Sequence, residues 1–249
     1  MLGFETIGSA TLICYDGEPI LTTDAWVNDD AYFGSWCHDY EIPSAQLDAI
    51  KRAKYHWFSH GHPDHLNIDA LPQLTQGQFL LSNHHGSRIE RDLIAAGHRV
   101  QILPDRDWIS LSPHIKVCSF TNQNQDSVLL IEINGRLVID ANDSPDYGAG
   151  WHIKRIAKHF REVYLCQLHG WGGADMVNVY DPAGRPFEVL LDFAQPRRLR
   201  LSDKGLGPQV PLCPVPLHDM PYFREQMGKI RQRCSTEQVK RPMRILSRE

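Results

Sequence analysis

Three histidines and an aspartate stand within six residues in His60-Gly61-His62-Pro63-Asp64-His65. Imidazole nitrogen and carboxylate oxygen are the donors that suit zinc, iron and manganese. The spacing has a physical logic. Side chains two apart on an extended strand end point the same way, so His60 and His62 can reach one cation. Gly61 and Pro63 then turn the chain. That leaves Asp64 and His65 to face a second cation about 3.5–4 Å from the first, the separation of two-metal hydrolytic sites. Asp64 has a second candidate role, orienting the nucleophile or accepting its proton.

Other polar groups are candidates for the same cleft. His84 and His85 follow the apolar run Phe79–Ser82 and precede a helical stretch, so they either line the cleft and meet substrate or are ordinary loop histidines. His38-Asp39 lies in an aromatic segment that could form a substrate loop. No phosphate-binding Gly-rich loop with Lys-Ser/Thr occurs, and no serine sits in a nucleophile elbow.

A cation site of this kind needs strands that end together. Thr6–Cys14 and Pro19–Thr23 read as a strand pair, Tyr55–Ser59 as a short strand running into the histidine cluster, and Phe79–Ser82 as another. Pro43–Lys54 reads as a helix with Ser44 as N-cap, and Ile89–Ala96 as a short helix closed by Gly97. Val100–Leu103, Trp108–Leu111 and Ile115–Phe120 read as strands. Val128–Ile133 and Arg136–Asp140 form a hairpin over Asn134-Gly135. Trp151–Phe160 reads as a helix and Glu162–Gln167 as a strand leading to His169. Trp26–Trp36 reads as a loop. Beyond Asp181 prolines recur and only Tyr222–Arg233 looks helical.

The run His60–His65 after a strand resembles the H-x-H-x-D-H motif of the metallo-β-lactamase superfamily. The resemblance covers about residues 3 to 180. Asp24, after the opening strand pair, is similar to the family's early aspartate. Asn142-Asp143-Ser144, after the strand Arg136–Asp140, resembles the segment that supplies the metal-bridging carboxylate, which points to Asp143, with Asp140 as the fallback. His169 sits where the family often places its last metal histidine. The resemblance implies an αββα sandwich of the metallo-β-lactamase type with His60, His62, Asp64, His65, Asp143 and His169 as ligands. It implies one or two divalent metal ions, zinc first, with iron or manganese as alternatives. The family also places a histidine before a strand like Val128–Ile133. Here Thr121–Ser127 contains none, and Asn122 or Asn124 stands in that place, as a substitute ligand or toward substrate. The Asn-rich run and the Asn-Asp pair resemble the branch with ascorbate-phosphate lactonase, N-acyl-phosphatidylethanolamine phospholipase D and CMP-N-acetylneuraminate hydroxylase.

The expected activity is therefore hydrolysis of an ester, lactone or phosphodiester by a metal-activated water. The alternatives are an iron-dependent, oxygenase-like redox protein and a non-catalytic metal-binding homologue. The expected partner is a small-molecule substrate.

Length and composition frame this reading. The chain has 249 residues, 42% of them hydrophobic and 22% charged, as in an ordinary globular protein. Its net charge of −4 is unevenly spread. Residues from Pro196 onward carry twelve Lys or Arg against five Asp or Glu, leaving the preceding body at −11. The expected organisation is a metallo-β-lactamase-like domain over 1–195 and a basic, Pro-containing segment over 196–249. That segment could meet nucleic acid, though a solvated tail is the favoured reading. Six scattered cysteines without C-x-x-C spacing are expected to be free buried thiols. The start shows no signal-peptide pattern and no stretch is long enough to span a membrane, so a cytoplasmic location is expected.

Overall fold

The computed structural model describes residues 1–8, 10–27, 30–31, 36–38, 42–122, 126–142, 144, 149–167, 188–190, 199–201 and 244–247. The chain opens with β1 (Leu2–Gly8), β2 (Thr11–Asp16) and β3 (Glu18–Thr23), an antiparallel meander. The single strand expected over Thr6–Cys14 is thus two. The reason lies in the pairing: β1 and β2 are register partners of each other, from Leu2 opposite Asp16 to Gly8 opposite Thr11, so the chain must reverse between them. β4 (Asp30–Ala31) and β5 (Trp36–His38) form a small ribbon within the segment expected to be loop.

Helix α1 (Ser44–Arg52) leads to β6 (Tyr55–Phe58). Ser44 is the first helical residue rather than the cap. Pro43 occupies the cap position, where its missing N–H costs nothing. After β6 come β7 (Gln78–Ser82), α2 (Arg88–Ala95) and β8 (Val100–Leu103), close to the predicted spans. β3, β6, β7 and β8 run parallel, so their carboxyl ends lie along one edge of the first sheet. Antiparallel β1 and β2 complete that sheet, with β16 (Arg244–Ser247) on its outer side.

The second sheet contains β9 (Trp108–Ser110), β10 (Ile115–Thr121), β11 (Ser127–Ile133), β12 (Arg136–Asn142), β13 (Glu162–Gln167) and β14 (Glu188–Leu190). The β11–β12 turn falls on Asn134-Gly135 as predicted, with φ of +48° and +81°, the left-handed values that a two-residue hairpin turn requires. α3 (Gly150–Ala157) connects β12 to its parallel neighbour β13.

Three apolar layers explain the order of the elements. Leu12, Leu21, Trp57 and Leu80 of the first sheet meet Val117, Leu129, Ile131 and Val138 of the second in the central core. Ile50 of α1 and Leu93 of α2 cover the outer face of the first sheet against Phe58, Phe79 and Leu81. Ile153 and Ala157 of α3 cover the outer face of the second against Phe120, Leu130 and Ile139. The layering is therefore α-β-β-α, as expected. β11 is apolar on both faces because both are covered.

Cys14, Cys118 and Cys166 are buried and free, as expected. No helix among the described residues is long and apolar enough to cross a membrane. Of the segment 196–249, β15 (Leu199–Leu201) pairs with β5, and β16 with β1. The helix predicted over Tyr222–Arg233 lies outside the described residues.

Candidate metal centre

The centre grows from strand ends brought to one edge. β3 ends one residue before Asp24, β6 runs into Ser59–His65, β7 ends two residues before His84, and β12 ends at Asn142. Because β11 is antiparallel to β12, its first residue, Ser127, arrives at the same edge. Asp24 and Asn142 have φ of +38° and +40°, unusual for non-glycine residues. Backbone held in such conformations gathers at functional sites.

Asp24 is fully buried and organises the centre. Its Oδ1 accepts the Ser59 N–H at 2.7 Å, and its Oδ2 accepts the Ser59 hydroxyl at 2.7 Å. His65 Nδ1 lies 2.8 Å from the same Oδ2. A carboxylate only accepts, so this ring carries its proton on Nδ1 and presents the Nε2 lone pair. Carboxylate–histidine pairs of this kind fix the tautomer of metal-binding imidazoles. His65 Nε2 in turn faces Asp64 Oδ2 at 3.6 Å.

His60 is oriented from its other side. With the Ser59 hydroxyl proton committed to Asp24, the Ser59 oxygen accepts from His60 Nδ1 at 2.9 Å. His60 Nε2 then points at His62 Nδ1, 2.7 Å away. The His60 ring centroid is 4.4 Å from that of His62 and 4.2 Å from that of His65. Burial pushes the His60 imidazole well below its ordinary pKa, with the charges of His65, His62 and His84 adding to the effect. A neutral imidazole is the form that binds metal.

Three rings and one carboxylate thus crowd together with nitrogen facing nitrogen. Each of these donors is of the type that binds a divalent transition metal. The donor types are those that the sequence motif implies, but among the described residues no three of them are placed to hold one ion together.

A hydrogen-bonded clasp ties this loop to the second sheet. Ser127 Oγ donates to the Ser59 carbonyl at 2.6 Å, and Asn142 Nδ2 donates to the Ser127 carbonyl at 2.8 Å. Asn122 braces the loop before β11: its Oδ1 accepts from Asp126 N–H at 3.1 Å and its Nδ2 donates to Ser144 Oγ at 2.7 Å. Asp126 brings a carboxylate oxygen to 3.7 Å from His60 Nδ1.

Asp140, the fallback ligand, is electrostatically coupled to Asp24 and His65. It is fully buried, with Oδ1 accepting the Asn142 N–H at 3.2 Å. Burial first, and then the charge of Asp24, raise its carboxyl well above the usual range.

Of the sequence-predicted site residues, the structure brings His60, His62, Asp64 and His65 together, with His84 close by. His84 is half-buried, while His85 is exposed. Asn122 stands at the second-sheet side of the same edge. Asp143, His169 and Asn124 lie outside the described residues, as does Asp39, and nothing is described of the His38 side chain. Sequence reasoning did not identify Ser59, Ser127, Asn142 or Asp126 as parts of the site. Asp126 had a signal, as the acidic residue in a stretch that lacks the expected histidine. The serines had none, because their role depends on long-range pairing.

No family model matches the chain. Curated relatives are cytidine monophosphate-N-acetylneuraminic acid hydroxylases. That of Asterias rubens is 25% identical over 144 residues, covering 54% of this chain and 22% of the relative. That of Danio rerio is 20% identical over 137 residues, covering 51% and 23%. The matched part of the chain thus spans less than a quarter of these relatives' length. Among solved structures, an isothiocyanate hydrolase from Delia radicum gut bacteria is similar at TM-score 0.56 and 10% identity, covering 97% of this chain and 98% of that one. A possible metal-dependent hydrolase of Veillonella parvula reaches 0.53 at 11% identity, covering 76% and 84%. CmlA, a diiron β-hydroxylase of Streptomyces venezuelae, reaches 0.50 at 16% identity, covering 73% and 38%. At these identities the structural likenesses establish the fold alone. That fold is the αββα sandwich of the metallo-β-lactamase type, in agreement with the sequence motif.

Proposed function

We propose that the chain is a metal-dependent hydrolase acting on an ester, lactone or phosphodiester. The observation that carries this is the pairing of His60 Nε2 with His62 Nδ1 at 2.7 Å and of His65 Nε2 with Asp64 Oδ2 at 3.6 Å, with Asp24 and Ser59 fixing two of the rings. The full-length likeness to an isothiocyanate hydrolase supports it. In this reading His60 and His62 hold one divalent ion, zinc before iron or manganese. Asp64 and His65 hold a second, with Asp143 and His169 as further ligands. Bound metal supplies a water whose pKa is lowered to about 7 and polarises the scissile carbonyl or phosphoryl group.

The protein's own groups do the rest. Asp24 keeps the His65 proton on Nδ1, so Nε2 stays available. Ser59 does the same for His60. Asp64 orients the nucleophile or takes its proton. His85, exposed on the β7–α2 loop, is placed to meet substrate arriving from solvent.

The test is Asp64→Ala, followed by metal content and by hydrolysis of p-nitrophenyl acetate, a simple lactone and bis-p-nitrophenyl phosphate. Loss of bound metal together with loss of the activity found in the unaltered protein is expected. Retention of both would overturn the assignment.

A second reading has its own observation. The stretch before β11 offers no histidine, and its acidic residue Asp126 lies 3.7 Å from His60 Nδ1, on the side of the ring away from Nε2. A site with one imidazole fewer suits iron as well as zinc. The hydroxylase names of the curated relatives and of CmlA point the same way. Anaerobic purification with metal analysis and a visible spectrum separates the two: iron with a chromophore supports redox chemistry, and colourless zinc protein supports hydrolysis.

A further inference from the structure

A second cluster stands beside the same edge, on the outer face of the second sheet. β10 reaches the edge at Thr121, whose N–H donates to Asp105 Oδ1 at 2.9 Å, and the Arg106 N–H donates to the Ser119 carbonyl at 2.7 Å. The segment before β9 is thereby laid along the end of β10. Arg106 has a φ of +63°, a conformation that bulky residues seldom adopt. Its guanidinium lies over the Phe120 ring, 5.9 Å from the centroid. Its Nε is 3.2 Å from Asp105 Oδ2, and its Nη1 donates to His152 Nε2 at 3.3 Å. A guanidinium has five N–H donors, and these two contacts employ two of them. The head group is thus held on three sides, yet the side chain remains half-exposed.

His152 leads to the other half of the cluster. Its ring stands edge-on to Trp151 in the first turn of α3, with centroids 4.8 Å apart. The Arg155 guanidinium lies over the Trp151 ring, 4.7 Å from its centroid. Trp151 is nevertheless 60% exposed, so a broad indole surface still faces solvent. Arg106, His152, Trp151 and Arg155 form an unbroken chain of contacts, with a flat ring between two cations. The body that carries them has a net charge of −11, so this gathering of basic groups runs against its surroundings. Guanidinium groups recognise carboxylate and phosphate, and exposed indole faces stack planar rings.

We propose that this cluster is a substrate subsite, in which Arg106 and Arg155 hold an anionic group and Trp151 stacks an adjoining planar ring. The inference rests on the hydrolase reading above and narrows it. Among esters, lactones and phosphodiesters, it selects substrates that carry a carboxylate or phosphate next to a flat ring. Such a substrate is held from the second-sheet side, while the 60–65 loop meets it from the first.

The test uses the full chain as purified. Binding of phenyl phosphate, benzoate and neutral phenol is titrated by saturation-transfer nuclear magnetic resonance, alongside metal content and hydrolysis of bis-p-nitrophenyl phosphate and p-nitrophenyl acetate. Wild type, Arg106→Gln and Trp151→Ala are compared, with Lys158→Gln at the other end of α3 as a control. Wild type is expected to bind one of the two anions at least about tenfold more tightly than phenol, and the tighter of the two identifies the group as phosphate or carboxylate. Arg106→Gln is expected to weaken that anion by at least about tenfold, the value of a charged hydrogen bond. Trp151→Ala is expected to weaken it by at least about fivefold, the value of a stacked ring. Lys158→Gln should change nothing. Melting checks folding, and if Arg106→Gln does not fold, Arg155→Gln carries the test in its place. A wild type that does not prefer either anion to phenol, or folded variants that bind the anion unchanged, would overturn the subsite and leave the hydrolase reading standing. The expected anion binding in a protein that holds no metal and cleaves neither ester would overturn the hydrolase reading and leave the binding site standing.

Discussion

Replacing Asp24 with Asn tests the logic of the centre with a change of almost no volume. Asp24 accepts from the Ser59 N–H, the Ser59 hydroxyl and His65 Nδ1, and it is fully buried. An asparagine keeps one carbonyl oxygen, which can go on accepting the Ser59 N–H. Its NH₂ group then faces the Ser59 oxygen and His65. The serine hydroxyl can rotate and accept, but His65 Nδ1–H cannot. One donor now opposes another, and relief requires the His65 proton to move to Nε2, the nitrogen that must stay open for metal. The stability cost is one unsatisfied buried donor, about 1–3 kcal/mol. The cost in metal affinity is that of an outer-sphere partner, about 10–100-fold, equivalent to roughly 1.4–2.7 kcal/mol. Zinc affinity is measured by competition with a chromogenic chelator, and stability by urea unfolding of the metal-free protein. Zinc binding in Asp24→Asn within about twofold of wild type, or roughly 0.4 kcal/mol, would refute the claim that this carboxylate sets the His65 tautomer.

Three further outcomes are expected. A Cβ at Gly77 would lie 2.4 Å from the His56 ring and 2.8 Å from the Ala53 carbonyl, so Gly77→Ala should destabilise by about 1–3 kcal/mol in urea melts while leaving metal stoichiometry unchanged. Burial lowers the His56 pKa to about 4 from its ordinary 6.5. The unfolded chain therefore takes up this proton first as pH falls, and the His56 contribution to stability of the metal-free protein should drop from pH 6.5 and level near pH 4. The full loss is about 3 kcal/mol, and His56→Gln should flatten that slope. Asn142→Ala removes the bond to the Ser127 carbonyl and places alanine at a φ of +40°; a loss of about 1–3 kcal/mol is expected, with Asn142→Gly recovering the backbone part of it.

The fold was legible where local pattern and tertiary role coincide. The apolar runs of β6, β7, β10 and β11 and the Asn134-Gly135 turn are set by short-range chemistry, and each was placed within a residue or two. The chain reversal between β1 and β2 was missed because its only turn signal is the Gly8-Ser9 pair, weaker than Asn-Gly, and the residues on either side are equally strand-like. The histidine loop was legible because its donors are contiguous. Asp24 was visible as a strand-end aspartate, but its partners Ser59 and His65 lie 35 and 41 positions away, and only the β3–β6 pairing brings them together. Ser127 was invisible for the same reason. A serine at a strand start says nothing until the opposite sheet is in place.

The Ser127 bond to the Ser59 carbonyl joins positions 68 apart, across the seam between the sheets. Half of the chain can therefore carry every residue of the 60–65 loop and still lack the brace that holds it. Contacts of such long sequence separation close late in folding, after the local hairpins have formed. Cation capture should then report assembly of the whole sandwich: a refolding chain would gain its high-affinity site in the same kinetic phase in which the central core closes, and not in any earlier one.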